Sequence, residues 1–332
     1  MGEQQGGRKL NDMLASIAPV SGLDKVVSTL VLGTAFYRLD AKQQWFDLLD
    51  AFLLLGGTAI DTARQYGESE AVIGEWMQSR GVRDQMVVIT KCGHGDGQLP
   101  VHNFHGVVGQ ELETSLHHLR TDHVDVYMLH RDNPSLPVGE VIERLNAEID
   151  ARRVRALGAS NWAYARVDEA NKYAREQGAK AFAVVSNNLS LAVPTAPFYP
   201  GLVSVDEAGE RWHQETGIPL MPWSAQARGF FTGRYAPELR GRAGSTGNGF
   251  TSRMIEVYGT DENLERLRRA QDLGQKRGGY SATQVALAWV LHKAFPVVPI
   301  VGPHTRAELQ SCVEATSLEL SDDDLKWLNL MD

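Results

Sequence analysis

The sequence predicts an α/β protein of the (β/α)8 barrel class, folded as a single domain. The chain has 332 residues, a length that barrels of alternating strands and helices reach within one domain. Short apolar runs alternate with stretches of helical period, at spacings of roughly 30 residues. Most of the runs are apolar throughout rather than at every second position, which is typical of parallel strands covered on both faces. A doubly wound sheet is the alternative, although it usually contains fewer strands at this length.

Eight apolar runs fit the strands of such a barrel, and helix-start signals occur between them. The predicted strands comprise residues 30–35, 59–63, 86–93, 124–131, 156–162, 183–189, 219–225 and 297–303. Ser281 with Gln284 predicts a capping box at the start of one helix, and Thr305 with Glu308 predicts another after the last strand. Residues 1–24 are predicted to form a partly loose N-terminal extension, and residues 25–332 the barrel.

Two long connections interrupt the regular spacing. Residues 190–211 and 226–262, after the sixth and seventh predicted strands, are rich in glycine and proline. Long connections in a compact domain are usually functional or disordered. Because the βα connections of a barrel lie at its active-site face, we expect these two to border the site.

Composition argues against several classes of function. The formal net charge is −8 and the basic residues are scattered, which argues against a nucleic-acid partner. No apolar run approaches the roughly 18 residues of a membrane span, and the polar N-terminus lacks the apolar segment of a signal peptide. The two cysteines, Cys92 and Cys312, are far apart, so neither a disulfide framework nor a metal site is expected. We therefore expect a cytoplasmic protein with a small-molecule partner; an oligomer is compatible with the sequence but not indicated by it.

Polar side chains close several of the predicted strands. Asp61 ends the second, Lys91 the third and His130 the fourth, and Tyr66 lies in the turn after the second. Because the carboxyl ends of barrel strands share one mouth, we expect these four catalytic candidates to meet there.

This set of side chains predicts acid–base chemistry at a carbonyl. Tyrosine has an ordinary pKa of about 10. A buried lysine ammonium favours the phenolate and lowers that pKa, and a carboxylate paired with the ammonium keeps it charged. Tyr66 is therefore the predicted proton donor, with Lys91 and Asp61 tuning it. His130 is predicted to orient the substrate oxygen.

Motifs along nearly the whole chain resemble the aldo-keto reductase superfamily, in particular its bacterial sugar and aldehyde reductases. They are LGTA (32–35), IDTARQYGESEAVIG (60–74), ITKCG (89–93), VYMLHRDNP (126–134), GASNW (158–162) and WSAQARGFFTGRY (223–235). The resemblance covers residues 25–330 and is shared by the β subunits of potassium channels. It implies a (β/α)8 barrel that binds NADP, or alternatively NAD, at its mouth. It also implies direct hydride transfer to an aldehyde or ketone without a metal.

The resemblance also implies which residues bind the cofactor. They are Thr34, Ala35, Asp61, Ser160, Asn161, Ser186, Trp223, Ser224, Gln226, Arg228, Gly302, His304 and Arg306. By position, Ser160 and Asn161 would hold the nicotinamide carboxamide, and Trp223 would stack on the nicotinamide. Thr34 and Ala35 would lie beneath the ribose. Ser224, Gln226 and Arg228 would lie along the pyrophosphate.

Two positions depart from the pattern of the superfamily. Ser186 stands where a glutamine commonly binds the carboxamide, and Glu308 stands where an arginine often grips the 2′-phosphate of NADP. An acidic side chain there disfavours an extra phosphate, although Arg306 and the helix N-terminus compensate in part. Glu308 also has a structural reason to be acidic, because it is the third helical residue of the predicted capping box.

The predicted substrate pocket is walled by Phe36, Tyr37, His94 and Trp162, together with residues 190–211. This mixture of aromatic and polar residues favours a sugar or another small carbonyl compound. Two other functions use the same residues. One is a redox-neutral sugar epimerase or isomerase with tightly held NAD(P), and the other is a non-catalytic regulatory subunit.

Overall fold

The computed structural model describes residue 14 and residues 20–94, 104–235 and 249–331. Within these ranges one parallel sheet has the strand order β6-β5-β4-β3-β2-β1-β7. Its strands are β1 (Val31–Gly33), β2 (Ala59–Asp61), β3 (Val87–Cys92), β4 (Val124–Leu129), β5 (Val154–Ser160), β6 (Phe182–Ser186) and β7 (Ile300–Val301).

Helices follow the strands and surround the sheet. The α-helices are Lys42–Leu54, Ser69–Arg80, Phe104–Leu119, Val138–Asp150, Tyr164–Gln177, Glu207–Thr216, Gly249–Tyr258, Asp261–Lys276, Ala282–Leu291, Arg306–Ala315 and Asp322–Leu328. Short 3-10 helices are Leu39–Ala41, Arg83–Gln85 and Ala227–Thr232. No helix in the described ranges is both long and apolar enough to cross a membrane.

The predicted seventh strand, residues 219–225, is present only as single parallel bridges. Leu220 pairs with Val185 on one side and with Val297 on the other. Pro219 and Pro222 flank this position and cannot donate a backbone hydrogen bond, so a regular ladder cannot extend along the segment. The bridges nevertheless join β6 to the last strand segment, which closes the sheet into the predicted (β/α)8 barrel.

The last predicted strand, residues 297–303, is also shorter than expected. Regular pairing is confined to Ile300–Val301 because Pro296 and Pro299 interrupt the segment. The carbonyl of Pro299 still accepts from the Val31 amide at 3.0 Å, and the carbonyl of Pro296 accepts from the amide of Leu220 at 2.9 Å. These acceptors keep the segment in the ring of strands.

The strand residues divide into two buried layers, which explains the continuously apolar runs. Every second residue contributes to an inner cluster, and the residues between them pack against the helices. The inner cluster comprises Val20, Val27, Val31, Ala59, Val87, Ile89, Val126, Met128, Ala156, Val184, Met221, Val298 and Ile300. Both faces of the sheet are therefore buried.

Of the two predicted capping boxes, one is complete and one is partial. Ser281 and Gln284 exchange both hydrogen bonds, as predicted. Thr305 accepts from the Glu308 amide at 3.1 Å, but the Glu308 carboxylate accepts from the His304 amide at 2.7 Å instead of from Thr305. The acidic side chain thus lies against the start of the helix Arg306–Ala315.

The long connections predicted as loops contain helices. Residues 190–211 include the start of Glu207–Thr216, and residues 226–262 include Ala227–Thr232 and Gly249–Tyr258. Residues 236–248 lie outside the described ranges. Most of the predicted N-terminal extension does too, but Leu14 is fully buried and its carbonyl accepts from the Thr29 amide at 3.2 Å.

Candidate active site

Strand alternation brings the predicted catalytic side chains to one end of the barrel interior. Asp61 continues the inward series that begins at Ala59 in β2, and Lys91 continues the series of Val87 and Ile89 in β3. His130 follows β4 in the same phase as Met128. Successive side chains of a strand point to opposite faces. Asp61, Lys91 and His130 share the inward phase on three neighbouring strands, so residues about seventy positions apart in the sequence meet.

Lys91 and Asp61 form a buried ion pair at the centre of the site. Each residue is 3% exposed, and the Lys91 ammonium also donates to the carbonyl of Thr62 at 3.0 Å. Burial raises the pKa of the Asp61 carboxyl, an effect that Lys91 opposes. Burial lowers the pKa of Lys91, but Asp61 and Tyr66 outweigh this, so its pKa lies above the usual value. Lys91 is therefore charged at neutral pH.

Tyr66 lies beside this ion pair in the turn after β2. Its amide donates to the carbonyl of Ala63 at 2.9 Å, and the Lys91 ammonium lies 5.4 Å from the centroid of its ring. Burial raises the pKa of the Tyr66 phenol above its ordinary value, and Lys91 opposes this shift only in part. The expected lowering of the Tyr66 pKa is therefore wrong, because the desolvation of the phenolate is a larger effect than the charge of Lys91.

His130 faces Tyr66 across the site. The ring centroids of His130 and Tyr66 are 5.7 Å apart at an interplanar angle of 82°, and the ring of His94 lies 4.7 Å away. Its amide donates to the carbonyl of Cys92 at 2.8 Å, and its Nδ1 is buried without a hydrogen-bond partner among the described residues. Burial, followed by Lys91, holds the pKa of His130 well below its usual value. The imidazole is therefore neutral.

Three of the predicted carboxamide-binding residues bond to the barrel itself. Ser160 donates to the carbonyl of Ser186 at 2.9 Å, and Ser186 donates to the carbonyl of Met221 at 2.8 Å. Asn161 has a left-handed backbone with φ of 60°. Its Nδ2 donates to the carbonyl of His130 at 3.1 Å, and its Oδ1 accepts from the Val203 amide at 3.1 Å. These bonds fix the ends of β5 and β6 to the connection that covers them.

The predicted ribose residues differ in exposure. Thr34 is fully buried, and its hydroxyl bonds to the carbonyl of Asp61 at 2.9 Å and to the hydroxyl of Ser69 at 2.6 Å. Its hydroxyl therefore ties the residue after β1 to the end of β2 and to the start of the helix Ser69–Arg80. Ala35 is exposed.

The segment after Leu220 is a strained turn with a cation over an aromatic ring. Ser224, Ala227 and Arg228 all have positive φ, between 48° and 53°, a conformation that L-residues rarely adopt and that clusters at functional sites. The Arg228 guanidinium lies 5.6 Å from the Trp223 ring centroid. Gln226 points away from these groups and donates to the carbonyl of Thr283 at 3.4 Å.

Three of the predicted cofactor-binding residues lie after β7, around the start of the helix Arg306–Ala315. Gly302, His304 and Arg306 are exposed, and open space surrounds the position that a side chain at Gly302 would occupy. The His304 ring lies 5.0 Å from Phe36, which is 63% exposed. Glu308 lies at the same helix start.

Two of the four predicted pocket residues are packed into the hydrophobic core. Tyr37 is 2% exposed because its ring stacks on Trp45 at 4.5 Å, and Trp162 is fully buried with its ring 5.2 Å from Phe182. The expectation that they wall a pocket is therefore corrected. Phe36 and His94 lie at the mouth, and residues 95–103 after His94 are outside the described ranges.

The structure adds residues that the sequence reasoning did not single out. Phe198 and Tyr199 lie in the connection after β6, and the ring of Phe250, from a distant helix, is 5.4 Å from Phe198. Arg131 follows His130 directly and is 6% exposed. Its place in the LHR motif was a usable signal, whereas the approach of Phe250 depends on tertiary structure alone.

The barrel and its Tyr–Lys–Asp–His centre define a class of protein, and comparisons with known proteins identify the family. The sequence model of the Aldo/keto reductase family matches residues 29–330. The chain belongs to this family. It is 34% identical over 304 residues to an aryl-alcohol dehydrogenase of Pestalotiopsis microspora, covering 86% of this chain and 71% of the relative.

Two further comparisons agree. An aryl-alcohol dehydrogenase [NADP(+)] of Phanerodontia chrysosporium is 30% identical over 306 residues, covering 87% of this chain and 76% of the relative. The fold matches that of a thermostable aldo-keto reductase solved with the inhibitor epalrestat, with a TM-score of 0.70 at 19% identity. That match covers 95% of this chain and 99% of the other.

We expect His130 to remain neutral throughout the physiological pH range. Its Cε1 proton shift should be flat from about pH 5.5 to about pH 8 in NMR spectra. The His130→Gln variant assigns the resonance. A titration with a midpoint near the ordinary value of about 6.5 would contradict the neutral, desolvated imidazole.

Proposed function

We propose that this protein is an NAD(P)(H)-dependent oxidoreductase that interconverts a carbonyl and an alcohol, with Tyr66 as the proton donor. Family membership supports an oxidoreductase acting on a carbonyl or an alcohol. The observation that carries the proposal is a neutral phenol held beside a charged, buried lysine. Such a phenol can give up a proton during reduction and take it back during oxidation.

Each residue of the centre has a distinct task in this proposal. Tyr66 donates its proton to the carbonyl oxygen, and Lys91 stabilises the phenolate that remains. Asp61 keeps Lys91 charged inside the barrel. The neutral His130 ring holds the substrate oxygen by a hydrogen bond next to Tyr66. The nicotinamide dinucleotide, when bound, gives or accepts the hydride.

The mouth has features that fit a dinucleotide. Trp223 is half-buried, and its Nε1 has no partner among the described residues. Arg228 supplies a cation for the pyrophosphate, and the open surface at Gly302 admits close approach to the backbone. The exposed N-terminus of the helix Arg306–Ala315 is a favourable place for a phosphate.

Glu308 bears on the choice between NADP and NAD. Its carboxylate already occupies the start of that helix by accepting from the His304 amide. A negative side chain there repels a 2′-phosphate, while the nearby Arg306 attracts it. We propose NADP as the cofactor, with an affinity that Glu308 limits. The Phanerodontia relative carries NADP(+) in its name.

For the substrate, the aromatic group formed by Phe198, Tyr199 and Phe250 favours an aryl carbonyl compound over a sugar. Phe198, Tyr199 and Phe250 form a contiguous group of rings, and Tyr199 and Phe250 are 50% and 39% exposed. The Arg228 guanidinium links this group to Trp223 by lying 4.5 Å from the Phe198 ring centroid. Aromatic rings stack well on one another. The aryl-alcohol dehydrogenases of Pestalotiopsis microspora and Phanerodontia chrysosporium, by their names, support the same substrate class.

Replacing Tyr66 by Phe should lower kcat for an aromatic aldehyde by about 100-fold or more, because only the proton donor is removed. Cofactor affinity, followed by quenching of tryptophan fluorescence, should stay within about twofold of that of the unchanged protein. Tyr173→Phe, which removes a phenol bonded to Glu143 on a neighbouring helix, is the matched control. Wild-type turnover in Tyr66→Phe would refute the assignment.

Replacing Glu308 by Gln should shift cofactor preference toward NADPH. The amide keeps an acceptor for the His304 amide but removes the charge, so NADPH affinity relative to NADH should rise about two- to fivefold. Glu319→Gln removes an equal charge from a side chain that is 92% exposed and serves as control. An unchanged ratio of the two dissociation constants would show that Glu308 does not face the 2′ position.

A further inference from the structure

Arg131 is a buried cation whose hydrogen bonding is incomplete. It is 6% exposed, and its Nη1 donates to the carbonyl of Pro200 at 3.1 Å. Its Nε is buried and has no partner among the described residues. Arginine offers a planar set of donors that matches a carboxylate. The guanidinium therefore keeps a buried donor that has no hydrogen bond to any described residue.

No described carboxylate compensates this charge. Asp132, the neighbouring acid in the sequence, pairs with Arg166 at 3.1 Å, and Asp61 pairs with Lys91. An uncompensated charge inside a protein is costly unless a partner of opposite sign binds it. The Arg131 guanidinium is thus a candidate for binding an anion.

Arg131 lies at the end of the barrel that carries His130 and Tyr66. It follows His130 at the end of β4, and its charge acts on both Tyr66 and His130. The connection after β6 covers it through Pro200 and Gly201, where a side chain added at Gly201 would lie 3.6 Å from Nη1. Since Tyr66 and His130 are neutral, no negative charge within the catalytic centre is left unpaired to face Arg131.

We propose that Arg131 binds a carboxylate carried by the substrate, so that the enzyme prefers anionic aromatic carbonyl compounds to neutral ones. This inference rests on the proposed function and names the substrate class more closely. Arg228 has a different place, because its guanidinium lies over Trp223, the residue predicted to stack on the nicotinamide. The two arginines therefore serve different ligands.

The test compares 4-carboxybenzaldehyde with its neutral methyl ester. The ratio of their kcat/KM values should favour the acid in the unchanged protein and fall about tenfold or more in Arg131→Gln, mainly through KM. Arg131→Lys should retain part of the preference because it keeps the charge. Arg166→Gln is the control, because it removes a guanidinium that also anchors a loop through the Leu136 carbonyl. It should change kcat/KM for the acid and the ester by the same factor.

A binding measurement separates this inference from the proposed function. Calorimetry should show that 4-(hydroxymethyl)benzoate binds the NADPH complex more tightly than its amide, and that Arg131→Gln removes the difference. If neither aldehyde is reduced, the proposed function fails while the calorimetric result still decides the role of Arg131. Equal losses of kcat/KM for acid and ester in Arg131→Gln would show that Arg131 only anchors Pro200. A weakened NADPH affinity with an unchanged ratio would assign it to the cofactor. Either result overturns the inference.

Discussion

The buried ion pair between Lys91 and Asp61 is the interaction on which the site depends. It joins the ends of β2 and β3, and both residues are almost completely removed from water. Desolvating two charges costs several kcal/mol per ion, and apolar residues of similar size often give equal or greater stability. The pair is therefore better explained by chemistry than by stability. It keeps a positive charge beside Tyr66, and under the proposed function this charge would stabilise the phenolate that proton transfer leaves.

The barrel makes this arrangement possible at small conformational cost. Strand alternation aims Asp61, Lys91 and His130 inward from three adjacent strands, and apolar residues below them exclude water. In this surrounding the imidazole stays neutral and the Lys91 charge is paired. Arg131 is a buried charge next to His130 in the sequence, and no described acid pairs with it. A substrate that brings its own carboxylate would complete the balance of charge around the reacting carbonyl.

The sequence was sufficient to predict the barrel, because two-sided burial leaves continuous apolar runs. It also predicted that Asp61, Tyr66, Lys91 and His130 meet, because they lie at or just after strand ends. Other features needed tertiary structure. Pro219 looked compatible with a strand, yet the ring closes there through single bridges. Tyr37 and Trp162 lie next to motif residues but pack into the core. The net pKa shift of Tyr66 depends on how completely it is desolvated, which no spacing reveals. Phe250 contacts Phe198 from a distant part of the chain, so the sequence gives no sign of their proximity.

The most direct test of the central claim is a double-mutant cycle on the ion pair, with kcat/KM for an aromatic aldehyde as the readout. Asp61→Asn and Lys91→Met are measured singly and together, with denaturation midpoints recorded to confirm folding. If the two residues act as one unit that supports Tyr66, the double variant should be no less active than Lys91→Met alone. Losses that multiply in the double variant would show that Asp61 and Lys91 act independently, and would contradict the account.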